Sequence, residues 1–148
     1  MPLYIFDTST IISYRITEIP DNFLLAAVVI GEWMAGAKDE KILRALIGLR
    51  NAHAKANTLL VPDADDWLEA GKVLCRLTHL RRKKAGGKLP PLRPGASQRM
   101  FLDALLALSS RKAGATIITV NYDDFAAIQY YYRGLKIIRA SAYFGYQP

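Results

Sequence analysis

The 148 residues contain one cysteine, Cys75, and two histidines, His53 and His79. A single thiol cannot close an internal disulfide, and its neighbours Val73, Leu74 and Leu77 predict a small buried core residue. Neither histidine stands at a metal-ligand spacing from the other or from Cys75, which argues against zinc. Apolar runs fall short of the ~20 residues a membrane-spanning helix needs, so no membrane role is expected. No basic-then-apolar leader precedes the first strand-like segment, and the expected location is the cytoplasm. Acids are missing from one long stretch. Between Glu69 and Asp103 there is none, while Lys72, Arg76, Arg81, Arg82, Lys83, Lys84, Lys88, Arg93 and Arg99 all fall there.

What is present suits one globular domain spanning 1–148, since 51% of the residues are apolar and the length allows a real core. Twenty Lys and Arg against thirteen Asp and Glu give a net charge of +7, which favours an anionic partner through long-range attraction and counterion release. The basic stretch is read in two ways, as a solvated surface or as a phosphate-binding loop at about 81–97.

Strand and helix signals alternate, which predicts an α/β layer structure on a mainly parallel sheet. Leu3 to Phe6 reads as a strand and Thr8 to about Thr17 as a short helix before Pro20. "FLLAAVVIGEWM", residues 23–34, reads as a short strand turning into a helix. "DEKILRALIGLRNAHA" carries an apolar stripe at Ile42, Leu43, Leu46, Ile47 and Leu49, and "TLLVP" reads as a strand. Asp63 is placed to cap a helix through "DDWLEAGKVLCRLTHL". A further helix is expected from Gln98 to Lys112, ended by Gly114, and "TIITV" and "LKIIRA" read as strands.

In parallel α/β sheets ligands gather at the carboxyl ends of the strands. Asp7 follows the first strand, and Asn121, Asp123 and Asp124 follow "TIITV". Asp7 has an ordinary reading as a helix cap. Two more acids sit where acids are costly. Asp103, in "MFLDALLALSS", has Met100, Leu106 and Ala107 as helical neighbours and only Arg99 as a salt-bridge partner one turn back. Glu32 lies among Val28, Val29, Ala35 and Gly36, with nothing basic until Lys38. A shared divalent cation would remove the repulsion among such acids, and an all-oxygen set suits Mg²⁺ or Mn²⁺.

The combination of "FDTS", "VIGEWMAGA", "FLDALLALSSRKAGATIIT" and "TVNYDDF" resembles the PIN-domain endoribonucleases, in particular the VapC-type toxins of bacterial toxin–antitoxin modules. The resemblance implies a three-layer α/β/α sandwich, RNA as substrate, Mg²⁺ or Mn²⁺ as cofactor, a cognate antitoxin protein and a homodimer. It makes Asp7, Glu32 and Asp103 the core metal ligands and Asn121 a fourth, weaker catalytic ligand. The amide at Asn121 is a departure that removes one negative charge and weakens the case for a firmly held second metal. Asp123 and Asp124 are the candidates to restore it, Asp124 being read both as a cap and as a ligand. Thr8, Ser9 and Thr119 are expected to orient the acids through their hydroxyls. Arg81, Arg82, Lys83, Lys84, Lys88, Arg93 and Arg99 would hold the substrate backbone, and Tyr122, Tyr130, Tyr131 and Tyr132 would stack on unpaired bases or pack in the core or at a dimer contact. Two other folds with an early aspartate fit less well. Haloacid-dehalogenase phosphatases need a second Asp where Ser9 stands, and phospho-receiver domains need an acidic pair. A nuclease acting on DNA and a non-catalytic RNA- or protein-binding domain remain as alternatives.

Overall fold

The computed structural model describes residues 1–84, 86 and 94–148, with backbone alone for 80–82 and 84. Tyr4–Phe6 (β1) and Thr116–Thr119 (β4) pair in parallel, with Ile5 beside Ile117 and Phe6 beside Ile118. All four of those side chains are buried, as a strand covered on both faces requires. Lys136–Arg139 (β5) adds in parallel to the other side of β4. Leu25–Ala26 (β2) pairs with Leu59–Leu60 (β3), also in parallel. A bridge between Tyr4 and Phe23, with the Leu24 N–H donating to the Tyr4 carbonyl at 2.8 Å, sets β2 beside β1. The strand order is therefore β3-β2-β1-β4-β5, and the direction of growth reverses between β1 and β4. Such a reversal opens a crevice at the carboxyl ends of the two strands.

The helices are Thr8–Ser13 (α1), Ala27–Ala35 (α2), Glu40–Lys55 (α3), Ala64–Lys84 (α4), Ala96–Ala113 (α5), Tyr122–Tyr131 (α6) and Ala140–Phe144 (α7). Seven successive residues of α5, Ala104 to Ser110, are buried, which makes it the central helix of its layer. α4 and α6 pack against it, and α2 packs against α3. α1 meets α7 through a Tyr14–Phe144 ring stack at 4.2 Å. Gly114 ends α5 with φ of 71°, a left-handed conformation that glycine adopts without a Cβ penalty. α4 opens on a reciprocal cap: the Asp66 N–H donates to Asp63 and the Asp63 N–H donates to Asp66.

Four sequence expectations need correction. α1 stops at Ser13 rather than near Thr17, because Tyr14 already donates back to close the turn. α4 continues through Lys84 and α5 starts at Ala96, so part of the supposed 81–97 loop is helical, as Arg and Lys do not break helices; residues 85 and 87–93 lie outside the described residues. Cys75 is exposed rather than core, since two residues past buried Val73 a helix has turned about 200°. Of the α3 stripe only Leu46 is buried, while Ile42 and Ile47 are exposed: α3 lies outside the main core and contributes to a small separate cluster with Leu25 and Ile30.

Candidate metal centre

Asp7 sits where β1 hands over to α1, and it is 2% exposed. Its Oδ1 accepts the Thr10 N–H at 3.0 Å, so it is the helix cap that its position suggested. Its Oδ2 accepts the Ser9 and Thr119 hydroxyls, each at 2.7 Å. The cap reading of Asp7 is thus seen on Oδ1, while Oδ2 is held by the two hydroxyls. The web continues across the crevice. The Asn121 N–H donates to Thr119 Oγ1 at 2.8 Å, and the Asn121 Nδ2 donates to Ser9 Oγ at 3.1 Å. Thr10, which the sequence reading passed over, is fully buried, donates to the Ile118 carbonyl and accepts the Val120 N–H. Buried polar groups need such partners, and here they lock β1 to β4.

Glu32 projects from α2 and is half-buried; its Oε1 accepts the Thr8 hydroxyl at 3.0 Å. Burial raises its pKa, the Thr8 bond opposes that rise, and the Asp7 charge adds to it. Asp103, on α5, is pushed up to about 8, first by burial and then by the charges of Asp7, Asp124 and Glu32. Arg99 pulls the other way more weakly. It is exposed, and among the described residues no ion pair joins it to Asp103, so the simple salt bridge is not made.

Four acids from four distant segments thus share one electrostatic neighbourhood. The two aspartates at the start of α6 part company: Asp123 turns to Arg139, 3.6 Å away, while Asp124 is the one felt by Asp103. Asn121 is the N-cap residue of α6 but makes no side-chain cap bond there, because its amide is engaged with Ser9.

The donors facing this crevice are oxygens, and the missing counter-charge at Asp103 is what a hard divalent cation would provide. Among the described residues no three of His, Cys, Asp and Glu stand together as a ready-made cage. A cation that keeps several waters needs only a few carboxylates, so a loose oxygen set fits Mg²⁺ or Mn²⁺. The nitrogen and sulfur candidates lie elsewhere. His53 shares a 2.7 Å hydrogen bond with Thr58, and His79 and Cys75 line a shallow hollow on α4.

Of the basic residues, Arg81, Arg82, Lys83 and Lys84 ride on the last turn of α4, with Lys83 exposed. Arg99 is in the first turn of α5, and Lys88 and Arg93 lie outside the described residues. The tyrosines divide. Tyr132 donates to Glu69 at 2.7 Å and lies under Arg111, whereas Tyr130 is 77% exposed and meets Tyr131 edge-on. Tyr122 lies beneath the Arg139 guanidinium. Arg139 was not foreseen, although its place at the carboxyl end of a parallel strand was the signal that could have found it.

No protein-family model matches the chain, and no curated protein matches it in sequence. Solved structures do match. A chain of the DNA-bound VapBC from Salmonella typhimurium superposes with a TM-score of 0.53 at 16% identity, covering 95% of this chain and 99% of that one. A chain of VapBC-1 from nontypeable Haemophilus influenzae gives 0.52 at 19%, covering 94% and 98%. A chain of VapBC2 from Rickettsia felis, bound to a fragment of its promoter DNA, gives 0.51 at 14%, covering 93% and 98%. At these identities the likeness is one of fold: the chain has the PIN-like α/β/α architecture that its sequence resemblance implied.

Proposed function

We propose that the protein is a Mg²⁺- or Mn²⁺-dependent endoribonuclease, the toxin of a toxin–antitoxin pair, working in the cytoplasm as a homodimer held in check by a cognate antitoxin protein. The observation that carries the catalytic part is Asp103, a carboxyl pushed up to about 8 in a crevice where Asp7, Glu32 and Asp124 add to its burden and no lysine or arginine pairs with it among the described residues. A fold that had no use for a cation would gain by replacing such a residue. The toxin part rests on the likeness to VapBC chains together with the resemblance of the motifs.

In this reading Asp7, Glu32 and Asp103 are the principal ligands, with Asn121 and Asp124 completing the rim. A bound Mg²⁺ or Mn²⁺ would lower the pKa of an attacking water and offset charge growing on the scissile phosphate. The chain's own residues do the rest. Ser9 and Thr119 aim Asp7, since each holds its Oδ2 at 2.7 Å, and Thr8 fixes the rotamer of Glu32. The Asn121 amide is tied by its nitrogen to Ser9, the residue whose hydroxyl also holds Asp7. The basic run Arg81, Arg82, Lys83, Lys84, Lys88, Arg93 and Arg99 holds the phosphate backbone with little sequence choice.

The test is cleavage of a structured RNA and of a DNA of the same sequence by the purified chain. Cleavage of the RNA that stops in EDTA and returns with Mg²⁺ or Mn²⁺, and less with Ca²⁺, is expected. Activity that persists in excess chelator would end the metal mechanism, and preferential cleavage of the DNA would replace the substrate.

A further inference from the structure

Arg139 occupies a place for which stability offers little reason. It is the last residue of β5 and the register partner of Thr119, the residue whose hydroxyl holds Asp7. Adjacent strands lie ~4.8 Å apart, so Arg139 starts one strand away from the acid crevice. From there its guanidinium carbon reaches 4.2 Å from the centroid of the Tyr122 ring, and its Nη2 comes to 3.6 Å from Asp123. The Arg139 side chain is 57% exposed and that of Asp123 93%, which describes a loose surface pair of small structural worth. Tyr122 is the first residue of α6 and neighbours Asn121, whose amide is bonded into the Asp7 web.

Two facts about this corner bear on a ligand. A crevice collecting Asp7, Glu32, Asp103 and Asp124 repels a polyanion, so a strand that approaches it needs a cation at the rim. A guanidinium lying over an aromatic ring also keeps its N–H donors directed outward in its own plane, where they can grip phosphate oxygens as a fork. Flat guanidinium and tyrosine faces are in addition platforms for unstacked bases.

We infer that Arg139 and Tyr122 form a lip on the crevice that holds one unpaired nucleotide of a single-stranded nucleic acid, the guanidinium binding its phosphate and the stacked pair receiving its base. The lip explains how a strand reaches acids that repel it, and in that respect it rests on the nuclease reading. Asp123 serves as the placeholder that the phosphate displaces. A base inside a duplex is already stacked and cannot use the lip, so the substrate is single-stranded where it is cut.

The experiment is fluorescence anisotropy with labelled twelve-residue single strands, one of RNA and one of DNA, and with the corresponding duplexes, over a range of salt. It uses the full chain carrying Asp103→Asn, which prevents cleavage, with and without Arg139→Ala, Arg139→Lys or Tyr122→Leu. Arg139→Ala and Tyr122→Leu are each expected to weaken single-strand binding about tenfold, within the range of one stacked base. Arg139→Ala should also flatten the salt dependence by about 0.7 in log–log slope, whereas Tyr122→Leu should not, and Arg139→Lys should restore the slope without the full affinity. Tyr122→Leu should leave duplex binding unchanged, and equal effects on RNA and DNA would mean that the lip reads no 2′-hydroxyl. Unchanged single-strand affinity in both variants, an equal loss on duplex, or no single-strand binding by the unsubstituted lip would overturn the inference. A lip that behaves as expected in a chain that cleaves nothing with Mg²⁺ or Mn²⁺ would instead overturn the nuclease reading alone.

Discussion

Acids gather in two places in this molecule, and they behave in opposite ways. At the start of α4 and the end of α5, Asp63 and Asp66 share Lys112, at 2.6 and 3.1 Å, and Glu69 holds Lys72 at 2.6 Å and accepts from Tyr132. These partners keep Asp63 and Glu69 below their ordinary pKa and raise Lys112. Asp66, Glu69, Lys112 and Tyr132, together with Leu108 and Arg111, line a cleft of about 540 Å³. At the carboxyl edge of the sheet, Glu32 and Asp103 are pushed up instead, by burial and by neighbouring acids, Asp7 acting on both. Residue type does not separate the two clusters. What separates them is whether the chain supplies the cations: the first cluster is electrically finished, and the second has no lysine or arginine paired with Glu32 or Asp103 among the described residues.

The largest effect should come from Asp103→Asn. It keeps the shape of the side chain and removes the charge that the crevice cannot pair, so cleavage should fall by more than ~100-fold while circular dichroism stays native. Cleavage equal to the parent's would dissolve the contrast between the clusters.

Next comes pH. The folded protein holds the Asp103 proton up to about 8, whereas the unfolded chain releases it near the ordinary 3.8. Between those values the folded state binds more protons, so the stability contributed by this group declines as pH rises through that window. The whole shift corresponds to at most ~6 kcal/mol, less whatever water screens. Melting temperatures of the metal-free chain should therefore drop from pH 5 to pH 8 more steeply than those of Asp103→Asn. Mg²⁺ or Mn²⁺ should restore more stability at pH 8 than at pH 5. Parallel curves for the two proteins would show that Asp103 carries no such penalty.

Thr119→Val removes a buried donor to the Asp7 carboxylate and an acceptor for the Asn121 N–H. A loss of about 2 kcal/mol in denaturant unfolding is expected, as for a buried bond to a charged group, accompanied by weaker metal activation. Stability lost with metal activation unchanged would make Thr119 a strand residue and nothing more.

Replacing Arg81, Arg82, Lys83 and Lys84 together by Ala should weaken RNA binding across sequences and flatten its salt slope, by about 0.7 for each phosphate no longer neutralised. An unchanged slope would send the substrate over another surface. The smallest effect is expected from Lys112→Ala. It should leave cleavage alone, because the pairs it breaks belong to the finished cluster, and lower the melting temperature modestly: the Asp63 pair is exposed, and buried Asp66 keeps the Asp63 N–H as a partner. A large loss of cleavage would mean that the two clusters are coupled.

Much of this was legible without coordinates. The apolar starts of β1 and β4, the helix over Glu40–Lys55 and the stop at Gly114 follow from local period and local backbone preference, which depend on neighbours in the chain. Asp103 and Glu32 announced themselves because an unpaired acid among leucines and valines is costly wherever the helix is placed. Pairing order, the side of α4 that meets α5, and the partners of long flexible side chains could not be read in the same way. Those are set by segments a hundred residues apart, as Ser9 and Asn121 illustrate.

The sequence by itself determined the alternation of strands and helices, the oxygen-only set of candidate ligands and the basic character of the stretch that follows Glu69. Only the tertiary structure decided that Cys75 faces solvent, that Asp124 and not Asp123 joins the acid field, and that Arg139 arrives beside Thr119. The physical reason is the same in each case. Period and composition state what a segment must bury or pair, but a helix has several faces and an arginine several reaches. Which of them is used depends on the element that packs opposite.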